Sequence, residues 1–286
     1  MASVEVPASW RSVLELKNPG TVMVLGDTGT GKTWLARFLA EEWARRRRRT
    51  ALVNADMGQA WIGVPTCLAL AEAPHWDRPH ALWFVGDTKP LGHLLPAVVG
   101  TARLAHRARH EGNEIVVIDP TGLILDPVGR VLKYHKALAA QVSTVVAVQR
   151  NRELEPLLEL LSGVGVQVVR LAAAPQAHDR TLPQRQEFRE ARFRLHLQGA
   201  TTIHVPRALL LGPDWLPGSG PAPAHGSVLG LLDREGFCLG LGLFEAADAD
   251  GIDVFTACNR PSDVTRVQPG RVRLTRDGRE IEGTVQ

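Results

Sequence analysis

The sequence predicts an α/β protein with a doubly wound, mainly parallel sheet, followed by a small, mainly β C-terminal domain. Short β-rich apolar runs alternate with helical patterns between residues 20 and 175, as in parallel sheets that carry helices on both faces. A glycine-rich loop at residues 26–33 joins the first strand to a helix. From residue 201 on, short β segments lie between Gly and Pro turns. The strands predicted for the sheet are residues 21–25, 50–55, 81–87, 114–119, 144–148 and 167–171, and those of the C-terminal domain are 202–205, 227–232, 237–244, 252–256 and 272–274.

The composition favours a globular protein with phosphate-bearing partners. The 286 residues are 44% hydrophobic and carry a net charge of +3, with arginine as the main basic residue. Arginine pairs with phosphate through two hydrogen bonds, which suits nucleic acid or nucleotides, although a GC-rich or heat-adapted genome also favours arginine. Three scattered cysteines without C-x-x-C argue against a disulfide framework or a zinc site. Without a signal pattern or a bilayer-length apolar stretch, we expect a cytoplasmic protein and no membrane partner.

The glycine-rich loop satisfies the phosphate-binding pattern G-x-x-x-x-G-K-[ST] of P-loop NTPases. A helix that starts after such a loop presents backbone N–H groups and partial positive charge to a phosphate. We expect Lys32 to contact the β- and γ-phosphates and the Thr33 hydroxyl to bind Mg²⁺. The predicted nucleotide-binding residues are Gly26, Asp27, Thr28, Gly29, Thr30, Gly31, Lys32 and Thr33.

Acidic residues mark the carboxyl ends of predicted strands. Asp56 follows the strand at 50–55, and Asp119 ends the β-branched run at 114–119. Ligands of doubly wound sheets gather beyond these strand ends, where a carboxylate can bind Mg²⁺ or receive a proton from an attacking hydroxyl. Asp56 and Asp119 are therefore candidate metal ligands together with Thr33, while a turn-capping role is the alternative for Asp56.

A cluster of arginines follows the sheet. Arg185, Arg189 and Arg192 are spaced i, i+4 and i+7 on a predicted helix, so they share one face. On a mobile segment they would neutralise the charge of a transferring phosphoryl group, whereas the alternative is an ordinary solvated helix. We predict a lid at about residues 176–199. The predicted domains are a P-loop domain at 1–199, with an N-terminal helix and the lid, and a β-rich domain at 200–286.

In their order along the chain, these motifs resemble those of the P-loop polynucleotide 5′-hydroxyl kinases. That family includes the RNA kinase of eukaryotic pre-mRNA 3′-end processing and the kinase of ribosomal RNA maturation. The chain is similar to a minimal, prokaryotic-type member with a kinase core and a β domain. The matching motifs are the Walker A at 26–33, D-x-G-Q…P at 56–65, the clasp at 119–123, Q-R-x-x-E-L at 149–154, the lid at 185–199 and the start of the C-terminal β domain at 226–233.

The resemblance implies Mg²⁺-dependent transfer of the γ-phosphate of ATP, or of another nucleoside triphosphate, to a 5′-hydroxyl. The acceptor would be RNA or DNA, single-stranded or at a duplex end, and processing or ligation proteins would be its partners. Asp56 would orient and deprotonate the 5′-hydroxyl. The remaining implied roles are catalysis by Lys32, Arg185, Arg189 and Arg192, and substrate binding by Asp56, Gln59, Thr121 and Gly122.

The clasp departs from the family's usual T-x-G-W, because Pro120 and Leu123 occupy the Thr and Trp places. Thr121 is the candidate replacement for the lost hydroxyl. The departure keeps a second hypothesis open, a nucleotide-binding scaffold or switch subunit of a nucleic-acid-processing assembly with little or no transfer activity. A small-molecule kinase is a third.

Overall fold

The computed structural model describes residues 7–177, 179–212, 215–219 and 221–281. Its strands are β1 (Thr21–Gly26), β2 (Thr50–Ala55), β3 (Cys67–Glu72), β4 (Ala81–Phe84), β5 (Ile115–Pro120), β6 (Thr144–Gln149), β7 (Gln167–Ala172), β8 (Thr201–Pro206), β9 (Ser227–Leu232), β10 (Cys238–Ala247), β11 (Gly251–Thr256) and β12 (Arg266–Arg273). Its α-helices are α1 (Ala8–Arg11), α2 (Lys32–Arg45), α3 (Leu94–His110), α4 (Pro127–Ala139), α5 (Glu155–Gly163) and α6 (Leu182–His196). Across these described residues, no helix has both the length and the apolar character that a membrane crossing requires.

The chain divides into two compact units that are discontinuous in sequence. Unit 1 comprises Met1–Asp56, Leu70–His80 and Ala97–Thr181, and unit 2 comprises Met57–Ala69, Ala81–Pro96 and Leu182–Gln286. These units follow spatial contacts, so the domain boundary between residues 199 and 200 stays a prediction.

Unit 1 contains the predicted parallel sheet. Its strands pair in the order β2–β5–β1–β6–β7, all in parallel. Every residue of β1, β2 and β5 is buried, as expected where helices cover both faces. The register places Asn54 opposite Asp119 and Ala55 opposite Pro120. The carboxyl ends of β2 and β5 are therefore neighbours.

The helices of unit 1 begin at recognisable local signals. Gly31 precedes α2 with φ 90° and ψ 9°, a left-handed conformation that glycine adopts without steric cost. Asp126 caps α4, since its side chain accepts a hydrogen bond from Val128 N at 2.7 Å, and Pro127 occupies the first turn. The expected N-terminal helix is the single turn α1, followed by a 3₁₀ turn at Ser12–Glu15.

Unit 2 contains antiparallel strands. β9 pairs with β12 and β10, β10 also pairs with β4 and β11, and β11 pairs with β8. The first four β segments predicted after residue 201 correspond to β8–β11, while the fifth, predicted at 272–274, overlaps only the end of β12. Apolar residues that include Leu229, Leu231, Ile252 and Val254 form the core of these strands. The predicted lid helix, α6, belongs to the same unit.

The structure corrects the prediction for one strand. Residues 81–87 were expected to join the parallel sheet, but β4 pairs antiparallel with β10, with Leu82 opposite Cys238. The physical reason lies in the chain before it. Only residues 73–80 separate β3 from β4, whereas a parallel connection needs a crossover of about a dozen residues or more.

Candidate active site

The P-loop, residues 26–33, is a tightly closed turn in unit 1. Thr30 Oγ1 donates to the Asp27 carbonyl at 2.8 Å. A Cβ on Gly26 would lie 2.5 Å from that hydroxyl oxygen and 3.0 Å from the Val148 carbonyl, so only glycine fits. Because α2 begins at Lys32, its first N–H groups lack acceptors within the helix and can donate to a phosphate. Lys32 is 9% exposed.

Asp56 and Asp119 stand at the carboxyl ends of paired strands. Asp119 lies within β5 and is 1% exposed, while Asp56 directly follows β2 and is partly buried. Both carboxylates raise the pKa of Lys136, against the larger effect of burial. The structure thus brings the two acids predicted from the sequence into one electrostatic environment.

The clasp segment, residues 119–123, contacts the P-loop. A Cβ on Gly122 would lie 2.7 Å from Thr28 Cγ2, 3.0 Å from Thr28 N and 3.2 Å from Lys32 Nζ. Gly122 therefore packs against the phosphate cradle too closely for any side chain. The neighbouring Thr121 is 7% exposed.

Lys133 and Lys136, which belong to no recognised motif, are fully buried on α4. Lys133 Nζ donates to Thr121 Oγ1 at 2.7 Å and to the Leu123 carbonyl at 3.1 Å. Lys136 Nζ donates to the Ala55 carbonyl at 2.9 Å, directly before Asp56. Burial lowers the pKa of Lys133 well below its usual range, with Lys136 and Lys32 adding to the shift, and lowers the pKa of Lys136 to about 8.

The spacing of these two lysines is the sequence signal that could have identified them as buried. The buried positions of α4 are Gly129, Leu132, Lys133, Lys136 and Ala137, a helical stripe with i, i+3, i+4, i+7 spacing. A lysine within such a stripe must find partners inside the protein, because burying an unpaired charge is costly.

The Q-R-x-x-E-L run forms a turn beside the P-loop. The Glu153 carboxylate accepts hydrogen bonds from Arg150 N at 3.0 Å and Asn151 N at 2.7 Å. The Arg150 guanidinium donates to the carbonyls of Thr28 and Gly29. This turn therefore ties an arginine to the backbone of the P-loop.

The predicted lid arginines and Gln59 lie in unit 2. Gln59 Nε2 donates to the Arg185 carbonyl at 3.4 Å. Arg189 pairs with the Glu280 carboxylate, with Nη2 and Oε2 2.8 Å apart, and Arg192 Nε donates to the Gly63 carbonyl at 3.1 Å. Arg189 and Arg192 therefore already have partners within unit 2.

His196, at the end of α6, accepts a hydrogen bond from Leu241 N at 3.0 Å through Nε2. Burial, with the nearby Arg192, lowers the pKa of His196 to about 4. The neutral ring thus attaches the end of α6 to β10.

Comparisons with known proteins agree with this arrangement. The chain is 27% identical to the polyribonucleotide 5′-hydroxyl-kinase of Pyrococcus horikoshii, over 94% of this chain and 90% of that protein. It is also 27% identical to the polyribonucleotide 5′-hydroxyl-kinase Clp1 of Xenopus laevis, over 65% of this chain and 46% of that protein. The solved structure of the wild-type Clp1p–Pcf11p complex superposes with a TM-score of 0.70 at 12% identity, covering 92% of this chain and 77% of that one.

That superposition supports the predicted fold class, a P-loop NTPase α/β fold followed by β-strands. A family model described as mRNA cleavage and polyadenylation factor CLP1 P-loop matches residues 26–199. The match covers more than half of the chain, and membership of a P-loop kinase family implies nucleotide binding. The chain belongs to the CLP1 P-loop family.

Proposed function

We propose that this protein is an ATP-dependent polynucleotide kinase that transfers the γ-phosphate to the 5′-hydroxyl of RNA. The observation that carries the proposal is the convergence, within unit 1, of the P-loop lysine, the strand-end acids and Gly122 of the clasp. Support also comes from the archaeal relatives named for this activity, one of which aligns over 90% of its length.

On the donor side, Lys32 and the first N–H groups of α2 hold the β- and γ-phosphates. The Thr33 hydroxyl and the carboxylates of Asp56 and Asp119 are hard oxygen donors, which fit Mg²⁺. When bound, the ion supplies positive charge that stabilises the phosphate oxygens.

On the acceptor side, Asp56 accepts the proton of the 5′-hydroxyl as that oxygen forms a bond to the γ-phosphorus. The bond between the γ-phosphorus and the β–γ bridging oxygen breaks, and ADP leaves. Gln59, Thr121 and Gly122 position the acceptor. The chemistry needs alignment and charge neutralisation more than covalent catalysis.

Arg185, Arg189 and Arg192 neutralise the charge of the transferring group. For Arg189 this requires an exchange of partners, because its guanidinium is paired with Glu280. Arg192 donates to the Gly63 carbonyl through Nε and Nη2, which leaves N–H groups of Nη1 for a phosphate.

The test is transfer of label from γ-labelled ATP to a 5′-hydroxyl oligoribonucleotide in the presence of Mg²⁺. We expect label at the 5′ end, none on the 5′-phosphorylated oligoribonucleotide, and weak competition by single nucleosides. The matching DNA oligonucleotide measures the preference between RNA and DNA. Absence of transfer to either oligonucleotide, with ATP bound, would contradict the proposal.

A nucleotide-binding scaffold or switch is the second candidate function. The altered clasp favours it, since Pro120 and Leu123 occupy the Thr and Trp places. Tight ATP binding without transfer, together with a co-purifying nucleic-acid-processing protein, would support this function instead.

A further inference from the structure

Lys133 and Lys136 are buried lysines to which the proposed reaction assigns no role. Removing an ammonium group from water costs several kcal/mol even in relaxed proteins, so a buried lysine stabilises the fold only where its partners offset that cost. Both lysines lie beneath the clasp and the Asp56 strand end, and neither is exposed at all.

Lys133 makes two hydrogen bonds to the clasp segment. Its Nζ donates to Thr121 Oγ1 at 2.7 Å and to the Leu123 carbonyl at 3.1 Å. One ammonium group thus fixes both the hydroxyl of Thr121 and the backbone two residues later. Leu123 occupies the Trp place of the clasp motif, so these bonds fix a segment that lacks the tryptophan of the family.

The hydrogen bond from Lys133 determines what the Thr121 hydroxyl can do. A threonine hydroxyl has one proton to donate and two lone pairs to accept with. Since Lys133 Nζ is the donor in this contact, the bond occupies a lone pair and leaves the hydroxyl proton to be donated to another atom. Such a donor suits an anionic oxygen.

The position of the clasp indicates which oxygen this is. Gly122, the next residue, packs against Thr28 N, and a Cβ there would lie 3.2 Å from Lys32 Nζ. Lys32 is the residue that contacts the β- and γ-phosphates in a P-loop. The Thr121 hydroxyl is therefore one residue away from the place where the transferring group is held.

We propose that Lys133 is a positioning residue for phosphoryl transfer, holding the Thr121 hydroxyl so that it donates to an oxygen of the transferring phosphoryl group. The inference rests on the proposed kinase function. Thr121 then contacts the transferring group in addition to positioning the acceptor, and Lys133 acts only through Thr121. A donor whose bond strengthens as charge develops lowers the barrier to transfer, while it contributes little to ground-state binding.

The experiment is a double-mutant cycle on the full chain, using Lys133→Met and Thr121→Val with γ-labelled ATP and a 5′-hydroxyl oligoribonucleotide. We expect each single variant to lower kcat by about 10²-fold, the usual cost of losing one such donor. The KM values for ATP and oligonucleotide should change less than about threefold, because the loss is confined to the transition state. The double variant should be no slower than either single variant.

Lys136→Met is the matched control, because it removes a second fully buried ammonium from the same helix. Its contact is the Ala55 carbonyl, so its effect on kcat should multiply with that of Thr121→Val instead of merging with it. Thr121→Ser keeps the hydroxyl and should keep kcat within about threefold of wild type. Lys133→Met should lower kcat by the same factor in the Thr121→Ser variant as in wild type.

Independent, multiplicative effects of Lys133→Met and Thr121→Val would overturn the inference, as would an unchanged kcat in either single variant. Melting temperatures identify a variant that fails to fold. If Lys133→Met does not fold, Thr121→Val and Thr121→Ser still decide the role of the hydroxyl, and equal kcat values for these two variants would overturn it. A wild-type protein that transfers no phosphate refutes the kinase function itself, which is a separate result.

Discussion

The P-loop and the lid helix both offer cations for phosphate, but they differ in what holds those cations. Lys32 begins α2 directly after a left-handed glycine and is almost fully buried, so the backbone itself sets its position. Arg189 and Arg192 lie on α6 and are held by the Glu280 carboxylate and the Gly63 carbonyl. The donor site is therefore preorganised, whereas Arg189 must exchange its Glu280 partner before it can act. Substitutions in the two regions should therefore affect phosphoryl transfer and ATP binding differently.

Lys32→Ala should have the largest effect. Loss of the lysine that contacts the β- and γ-phosphates should lower kcat/KM by about 10³-fold or more, with weaker binding of a fluorescent ATP analogue. Lys89→Ala removes an exposed lysine and serves as the control. Retention of most of the transfer activity in Lys32→Ala would show that the P-loop is not the donor site.

Arg189→Ala and Glu280→Gln separate catalysis by the lid from its structural pairing. If Arg189 neutralises the transferring group, its loss should lower kcat by about 10–10³-fold without affecting ATP binding. Glu280→Gln keeps the arginine and weakens its present partner, so kcat should stay equal or rise. The control is Arg194→Ala, on the same helix but exposed. Equal losses of kcat in Arg189→Ala and Glu280→Gln would mean that Arg189 acts only through its ion pair.

The stability of unit 2 should depend on pH through His196. Its pKa falls from 6.5 to about 4 on folding, so the unfolded chain binds the proton more tightly. The contribution is fully present above pH 6.5 and is lost as the pH falls towards 4, which costs up to about 3 kcal/mol in free energy of unfolding. Urea unfolding at pH 7.5 and pH 4.5 measures this loss. His196→Gln should reduce it, and an unchanged pH dependence would contradict the assignment.

Arg150→Ala should have the smallest effect. The guanidinium supports the P-loop through the Thr28 and Gly29 carbonyls, at an exposed position where a hydrogen bond contributes about 1 kcal/mol. We expect the KM for ATP to rise about fivefold, with kcat unchanged. Arg78→Ala, at another exposed position of unit 1, is the control. A fall in kcat without a change in KM would instead indicate that Arg150 acts on the transition state.

Local patterns in the sequence were sufficient to locate the glycine-rich turn before α2 and the acids at the ends of β2 and β5. The P-loop is a continuous motif, and Asp56 and Asp119 follow strands whose burial is visible as unbroken apolar runs. Of the C-terminal strands, β8–β11 were likewise predictable from their turn residues, whereas most of β12 was missed. In each case, the residues that determine the structure are close together in the sequence.

Features that depend on distant partners were not predictable in this way. β3 consists of Cys, Leu, Ala and Glu residues, and all of them except Glu72 are buried. These residue types do not favour a strand by propensity, so the strand was not predictable from its local sequence. β4 pairs with β10, more than 150 residues later in the sequence. Glu280, the partner of Arg189, is 91 residues away, and no local rule connects the two residues.

The most direct test concerns Asp56, measured in a single turnover with enzyme in excess over a 5′-hydroxyl oligoribonucleotide and saturated with ATP and Mg²⁺. Asp56→Asn keeps the size of the side chain but removes the base, so the transfer rate should fall about 10³-fold. The affinity for ATP, measured separately at saturating Mg²⁺, should change less than about threefold, because Lys32, the P-loop backbone and the other proposed metal ligands, Thr33 and Asp119, remain. An Asp56→Asn variant that transfers phosphate at the wild-type rate would contradict the assignment of Asp56 as the acceptor of the 5′-hydroxyl proton.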